Sequence, residues 1–341
     1  MIRLRLVKLL FCFIGSCLLV IFLQAFSTWK QNSNNGFIRL LPSHKITGLE
    51  SLDLKSDTYY ICGVDSTAVY LALRSYPERV LMVKFNHENP MFIKLSGFEN
   101  LKFYQGAYVR VEASNVHLFE GIKPMIALGA LRSARFTDVL RSPHFTAALP
   151  ISRSSYILRV VKGMQNHLIK LNQNGVGLSL LLEKQGEGIF STDGSLVKAD
   201  GNDRFFYVFN YRNQFLALDT NLNLLYKGRT RDTISQSQIK VSRISSEHKI
   251  TMSAPPLVVN KGGTANNRYL FVHSAMKADN ETESMHAHAT AIDVYDVKDG
   301  NYQFSFYLSD YNGKKLTDFR VYGQSLYALY DHYLYKYQLN F

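Results

Sequence analysis

The chain has 341 residues, 46% apolar and 13% aromatic, with a formal charge of +12. That is ample for a sizeable core, and the length suggests one large domain or two ordinary ones. Cys12 and Cys17 lie in an N-terminal apolar run and only Cys62 lies in the body, which excludes a disulfide within the body and any Cys-x-x-Cys or Cys/His zinc spacing.

In chain order, Met1–Lys8 comes first, carrying Arg3, Arg5 and Lys8, and Leu9–Phe26 follows as a nearly unbroken apolar run. A basic flank before such a run is an export signal, with the basic end kept in the cytoplasm. Residues 1–27 are therefore expected to be a signal peptide or membrane anchor, with Ala25-Phe26-Ser27 as a small-x-small cleavage site. Ile14–Cys17 loosely matches a lipidation box, but the apolar run continues past Cys17 to Leu23, which ranks an anchor or ordinary signal peptide above lipidation. Residues 28–35 read as a polar linker, and 36–341 as the body, outside the cytoplasm. Setting the three N-terminal cations aside leaves 36 basic against 27 acidic residues, a balance that favours anionic partners.

The body reads as a repeat. In Asn202–Gly228, the stretches Phe205–Phe209, Gln214–Asp219 and Leu224–Lys227 are rich in Phe, Tyr, Val and Leu, and Asn, Asp and Gly fill the turns between them. This is the pattern of an antiparallel meander. Comparable first strands stand at Tyr59–Val64, Ala107–Val111, Ser155–Val161, Tyr269–His273 and Ser325–Tyr330, about 50 residues apart and furthest apart before the fifth unit. Phe145–Pro150, Ser195–Ala199, Pro256–Asn260 and Asp318–Tyr322 fit an inner strand. The expected fold is all-β, a six-bladed propeller of four-stranded antiparallel blades preceded by the apolar helix. A pair of two-sheet sandwiches is the alternative. The last unit runs out at Phe341 before its third strand, so the extended Gly36–Pro42 is predicted to complete it and close the ring.

The single tryptophan, Trp29, excludes propellers that need a tryptophan in most blades. Ser191–Ser195 begins like a sialidase-type Asp box but lacks its spacing and closure. Towards the C-terminus, Ile292–Asp296, the Asp299-Gly300 turn, Leu326-Tyr327, and Tyr337 with Leu339 follow a Tyr-rich strand and an acidic loop. Over residues 266–341 this resembles the last two blades of the TolB-like six-bladed propellers exported by Bacteroidota. The resemblance implies the fold and an envelope address. It assigns no activity, and the poor lipidation box departs from the lipoproteins usual in that group.

Loops on one propeller face and the central channel are the usual ligand site. Arg132, Arg135, Arg141, Arg229, Arg231, Lys240 and Arg243 fall between units, and Lys162 and Arg212 in loops within them. Arginine forks suit carboxylate or phosphate, so Arg132, Arg135, Arg141, Lys162, Arg212, Arg229 and Arg231 are the candidate anion-binding residues. In the long insertion 274–288, His286 and His288 would share one side of a strand with Glu283 nearby, a candidate transition-metal set. No cofactor is identified. No nucleophile-elbow, metalloprotease or dinucleotide fingerprint is present. The favoured reading is an exported, membrane-associated, non-enzymatic propeller binding an envelope protein or an anionic small molecule or glycan, with nucleic acid a weaker candidate. The alternative is a calcium-dependent, lactonase-type hydrolase with Asp65, Asn115, Asn166, Asn210 and Asp331 converging on a channel ion.

Overall fold

The computed structural model describes residues 13–22 and 35–341, apart from 57, 74–75, 86–87, 98–105, 202 and 245–248. The expected cleavage site at 25–27 and nearly all of the linker lie outside the described residues. Residues 13–22 are helical, with Cys17 exposed. Among the described residues, no helix is long and apolar enough to cross a membrane.

The body is a six-bladed propeller of four-stranded antiparallel sheets. The inner strands, one per blade, are Tyr59–Val64, Tyr108–Glu112, Ala147–Ser152, Gly194–Lys198, Asn260–Ala265 and Leu316–Tyr322, and they pack around one axis. The second strands include Ser155–Lys162, Arg204–Phe209, Tyr269–Ser274 and Ser325–Tyr330. They are apolar on both faces because a neighbouring sheet covers each face. One buried cluster fills each of the six gaps between blades. Phe119 and Ile126 meet Tyr156 and Leu158 between the second and third blades, and Tyr59, Ile61 and Leu71 meet Tyr327 and Leu329 between the first and sixth. A lone meander has no partner for either face, so ring closure is what completes the core.

The ring is closed by an N-terminal strand, but by a different one from that expected. Ile46–Asp53 pairs antiparallel with Tyr333–Leu339 and becomes the outermost strand of the sixth blade. Gly36–Pro42 lies instead against the fifth blade, where the Leu40 carbonyl accepts from the Ser305 amide and Arg39 is buried. The arginine is better satisfied there than at a sheet edge, and Pro42 has no amide to give a ladder.

The repeat was also registered one strand out in two units. Tyr59–Val64 and Ala107–Val111 are inner strands, whereas Ser155–Val161 and its counterparts are second strands. The inner strand of the fifth blade is Asn260–Ala265 rather than Pro256–Asn260, and it hides behind two glycines. A Cβ on Gly263 would stand 2.3 Å from the Phe271 carbonyl oxygen, so backbone approach there requires glycine. An extra hairpin, Val241–Ile244 with Lys249–Met252, accounts for the wide spacing before the fifth unit.

Antiparallel order fixes the two faces. The links between blades and the turns between second and third strands share one face, here called the mouth face. The remaining turns lie on the far face.

Candidate functional site in the central channel

The inner strands are stitched edge to edge by side chains. The Tyr60 hydroxyl accepts from the Val109 amide (2.8 Å) and donates to its carbonyl (3.3 Å). Tyr108 does the same to Ala148, at 2.9 and 3.1 Å. At the sixth blade Asp318 takes this role, its Oδ2 accepting from the Ile61 amide at 3.0 Å. Tyr60, Tyr108 and Asp318 therefore occupy one register. Two residues on, the corresponding positions are Cys62, Arg110 and Arg320. Period-2 alternation turns Arg110 and Arg320 to the channel, while their neighbours Val109, Val111, Phe319 and Val321 are buried between blades.

Arg110 and Arg320 form the waist of the channel. They line two cavities towards the mouth, of about 360 and 370 Å³, and a smaller one of about 100 Å³ towards the far face. The first blade stands between the two arginines and offers only Cys62 and Gly63 at this level, which leaves room for both side chains. Arg320 is held by Asp318 at 3.3 Å and by the Phe319 carbonyl at 3.0 Å. Arg110 makes no side-chain hydrogen bond or ion pair among the described residues; Glu112 and Asp318 reach it only through longer-range attraction. Burial and the neighbouring Arg320 cation push its pKa below the usual arginine value.

Around the mouth, Lys261 stands exposed, also without a side-chain hydrogen bond or ion pair among the described residues. His273 is held down to about 4 by burial and by Lys261, so it is neutral at pH 7. Arg159 is spent on structure, donating to Thr146 Oγ1 (2.7 Å), the Tyr207 hydroxyl (3.0 Å) and the Gly194 carbonyl (3.2 Å), with Asp193 at 3.4 Å. Thr146, Ser195 and Thr317 add hydroxyl groups to the wall. Towards the far face the character changes. Lys198 pairs with Glu112, and Asp200 is pushed up to about 6 by burial and by Glu112, against Lys198 and Arg320. The channel thus has a cationic mouth and waist above a mixed, partly acidic floor.

The residues singled out from sequence do not gather here. None of the seven candidate anion binders lines a channel cavity. Arg132, Arg135 and Arg141 lie along the exposed outermost strand of the second blade, Arg135–Arg141, and the turn before it. Lys162 is exposed on the mouth face, as is Arg229. Arg212 is buried, stacked 3.6 Å from the Phe209 ring centroid and donating to the Glu183 carbonyl. Arg231 lies over Tyr302 and donates to the Ile38 carbonyl, fastening the N-terminal segment.

Glu283, His286 and His288 sit on a short helix, Glu283–His288, rather than a strand. Two residues apart on a helix point to opposite sides. Glu283 pairs with Lys277, His286 lies 3.7 Å from Glu281, and His288 lies 3.8 Å from Asp310. Among the described residues, no group of three or more His, Cys, Asp or Glu side chains is placed to hold a metal ion. The five hydrolase candidates do not converge either. Asp65 and Asn115 fall on the far face, while Asn166, Asn210 and Asp331 fall on the mouth face.

The signal that would have found Arg110 and Arg320 is the match between Tyr108-Val109-Arg110-Val111 and Asp318-Phe319-Arg320-Val321. It emerges only once both are aligned as inner strands.

No protein-family model matches the sequence, and a search of curated proteins found no match. Among solved structures, the chain is similar to a member of the DUF4221 family from Bacteroides vulgatus, with a TM-score of 0.53 at 10% identity over 87% of this chain and 98% of that one. That likeness supports the six-bladed propeller fold. A catalytically inactive virginiamycin B lyase from Staphylococcus aureus matches with a TM-score of 0.48 at 10% identity, over 86% of this chain and 99% of that one.

Proposed function

We propose that this protein is a binding propeller that takes an anionic ligand into the mouth of its central channel, without chemistry of its own. The observation that carries the reading is the convergence of Arg110 and Arg320 at the waist, with no side-chain partner for Arg110 among the described residues. Two half-buried like charges held near each other oppose folding unless an anion compensates them. The mouth cavities are within the usual size of small-molecule sites, about 300–1,000 Å³. We further propose that the protein acts outside the cytoplasm, held at a membrane by residues 1–27; the basic flank and apolar run support this, as does the resemblance to exported TolB-like propellers.

The test is calorimetric titration of the full-length protein with small anions, neutral sugars and amines. Anions should bind, and bound anion should raise the urea midpoint, because a ligand specific for the folded state stabilises it. Binding of only neutral or cationic compounds would overturn the reading.

A further inference from the structure

We infer that the ligand's anionic group is a phosphoryl group, gripped between Arg110, Arg320 and Lys261; this rests on the channel reading above. Four cations from four blades border the mouth cavity; Arg159 of the third is held by Thr146, Tyr207 and Asp193, which leaves Arg110 of the second, Lys261 of the fifth and Arg320 of the sixth to face a ligand. They approach from different sides of the channel. A carboxylate has two oxygens in one plane and satisfies one guanidinium fork. A phosphoryl group has three terminal oxygens spread in space and can meet two forks and an ammonium together.

The charge count agrees. Arg320 is balanced by Asp318, whose Oδ2 is also taken by the Ile61 amide. Arg159 has Asp193. His273 is neutral at pH 7. Among the described residues, the two cations of the mouth without a side-chain partner are Arg110 and Lys261, and a phosphate monoester carries about −1.5 to −2 at pH 7. The Tyr108 hydroxyl is spent on Ala148 and the Thr317 hydroxyl on the Leu329 carbonyl, so among the described residues the hydroxyl left for a ligand on the wall is that of Ser195. A polar ester such as a glycerol or sugar phosphate fits that wall better than an aromatic one.

Such a group could come from a soluble ester or from a lipid headgroup. The chain enters the propeller on the mouth face: the Asn35 amide donates to Asp279, in the loop between the second and third strands of the fifth blade. A membrane segment preceding residue 35 would therefore leave from the side on which the channel opens.

The experiment titrates the full-length protein with inorganic phosphate, glycerol 3-phosphate and succinate. Both phosphates should bind, with succinate about tenfold weaker or worse. Arg110→Met should lose phosphate binding by about tenfold or more, as expected for charge-assisted hydrogen bonds. It should keep or raise the urea midpoint, because no side-chain bond to a described residue is lost and a half-buried cation beside Arg320 is removed. A merely structural arginine would instead lower that midpoint. Lys261→Met, at an exposed position, should cost about threefold in phosphate affinity while leaving folding intact, so the test survives a failure of the first variant to fold.

Succinate binding as well as phosphate would overturn the phosphoryl assignment and leave the anion reading standing. No binding by any of the three would overturn both. Co-sedimentation with vesicles separates the sources. Retention on phosphatidic acid vesicles beyond phosphatidylcholine alone, lost in Arg110→Met, supports a headgroup. Glycerol 3-phosphate binding without such retention supports a soluble ester.

Discussion

Replacing Arg39 by methionine removes the cation from a buried cluster that joins the N-terminal segment to the fifth blade. The Arg39 side chain is fully buried, as is that of Glu281, and Asp293 is 1% exposed. The guanidinium donates to Asp293 Oδ1 (2.8 Å), Glu281 Oε1, Ser274 Oγ (2.8 Å) and the Met276 carbonyl (3.0 Å), with a longer contact to Asp293 Oδ2 (3.4 Å). Without it, Glu281 keeps the Tyr307 hydroxyl and the Ala278 amide, but Asp293 keeps only Ser305 Oγ. Breaking a buried ion pair from one side costs about 3–5 kcal/mol, because a charge is stranded out of water. Against a total stability of about 5–15 kcal/mol that is a large fraction. Urea unfolding followed by circular dichroism should show the loss, unchanged by salt, since buried charges are poorly screened. Adding Asp293→Asn to Arg39→Met should recover about 1–3 kcal/mol, the penalty for leaving such a group unsatisfied. The sign with pH is also fixed. Burial pushes Glu281 up, but His286, Arg39, Tyr307 and the Ala278 amide outweigh it and hold the carboxyl down to about 2. Its contribution is present above the unfolded value of about 4.3 and is lost as pH falls towards 2, so the gap between wild type and variant should narrow in acid. A loss below about 1 kcal/mol, the level of an exposed ion pair, would refute the seating of this segment.

Two further outcomes follow from the channel. Asp200, beside Glu112, Lys198 and Arg320, is pushed up to about 6, so affinity for sulfate, a probe whose own charge is constant in this range, should fall about three- to tenfold from pH 5 to 7 as it ionises; Asp200→Asn should flatten that profile, and a profile it leaves unchanged would refute the coupling. Because the folded value lies above the unfolded one, the protonated form stabilises below about pH 3.9 and that advantage is gone once pH has risen through 6, so Asp200→Asn should be more stable than wild type at pH 7. Gly63→Ala would put a Cβ 2.3 Å from the Val111 carbonyl oxygen, forcing apart the first two blades beside Arg110; urea unfolding should show a cost of about 1–3 kcal/mol, and a loss under about 0.5 kcal/mol would mean that interface is loose.

How legible each feature was depends on what kind of residue marks it. Second strands such as Phe205–Phe209 announce themselves, because a strand covered on both faces must be apolar throughout. Inner strands do not. Asn260–Ala265 is mostly small residues, and Tyr108–Glu112 alternates apolar and polar like any half-exposed strand. Blade count and class could therefore be read from the chain, while the register of the first two blades could not. That slip decided the site. With the second blade's inner strand aligned to second strands elsewhere, Arg110 and Arg320 do not fall in one column, and the arginines that stand out in the sequence are those in loops. Several of those loop arginines do ordinary work: Arg212 caps carbonyls over Phe209, and Arg231 pins Ile38. Their partners are backbone carbonyls, which no sequence pattern reveals. The closing strand was missed for a related reason. Gly36–Pro42 is the more apolar candidate, yet Arg39 has a matching pair of carboxylates more than 240 residues away, and that pairing outweighs strand propensity.

Arg39 and Arg110 make the case for a ligand by contrast. Arg39 is fully buried and Arg110 half-buried, and withdrawing a guanidinium from water is costly wherever it occurs. At Arg39 two carboxylates, a hydroxyl and a carbonyl meet the donors, as expected of a group selected for structure. At Arg110 none does, and a second arginine faces it across the channel. Methionine there would fill the same space without the electrostatic cost. A fold that keeps a cation without a described partner between the cavities of its channel gives up stability there. Such strain is expected at functional sites. No described residue matches Arg110, and the anionic ligand proposed for it would enter a cavity of about 370 Å³ that opens beside Lys261.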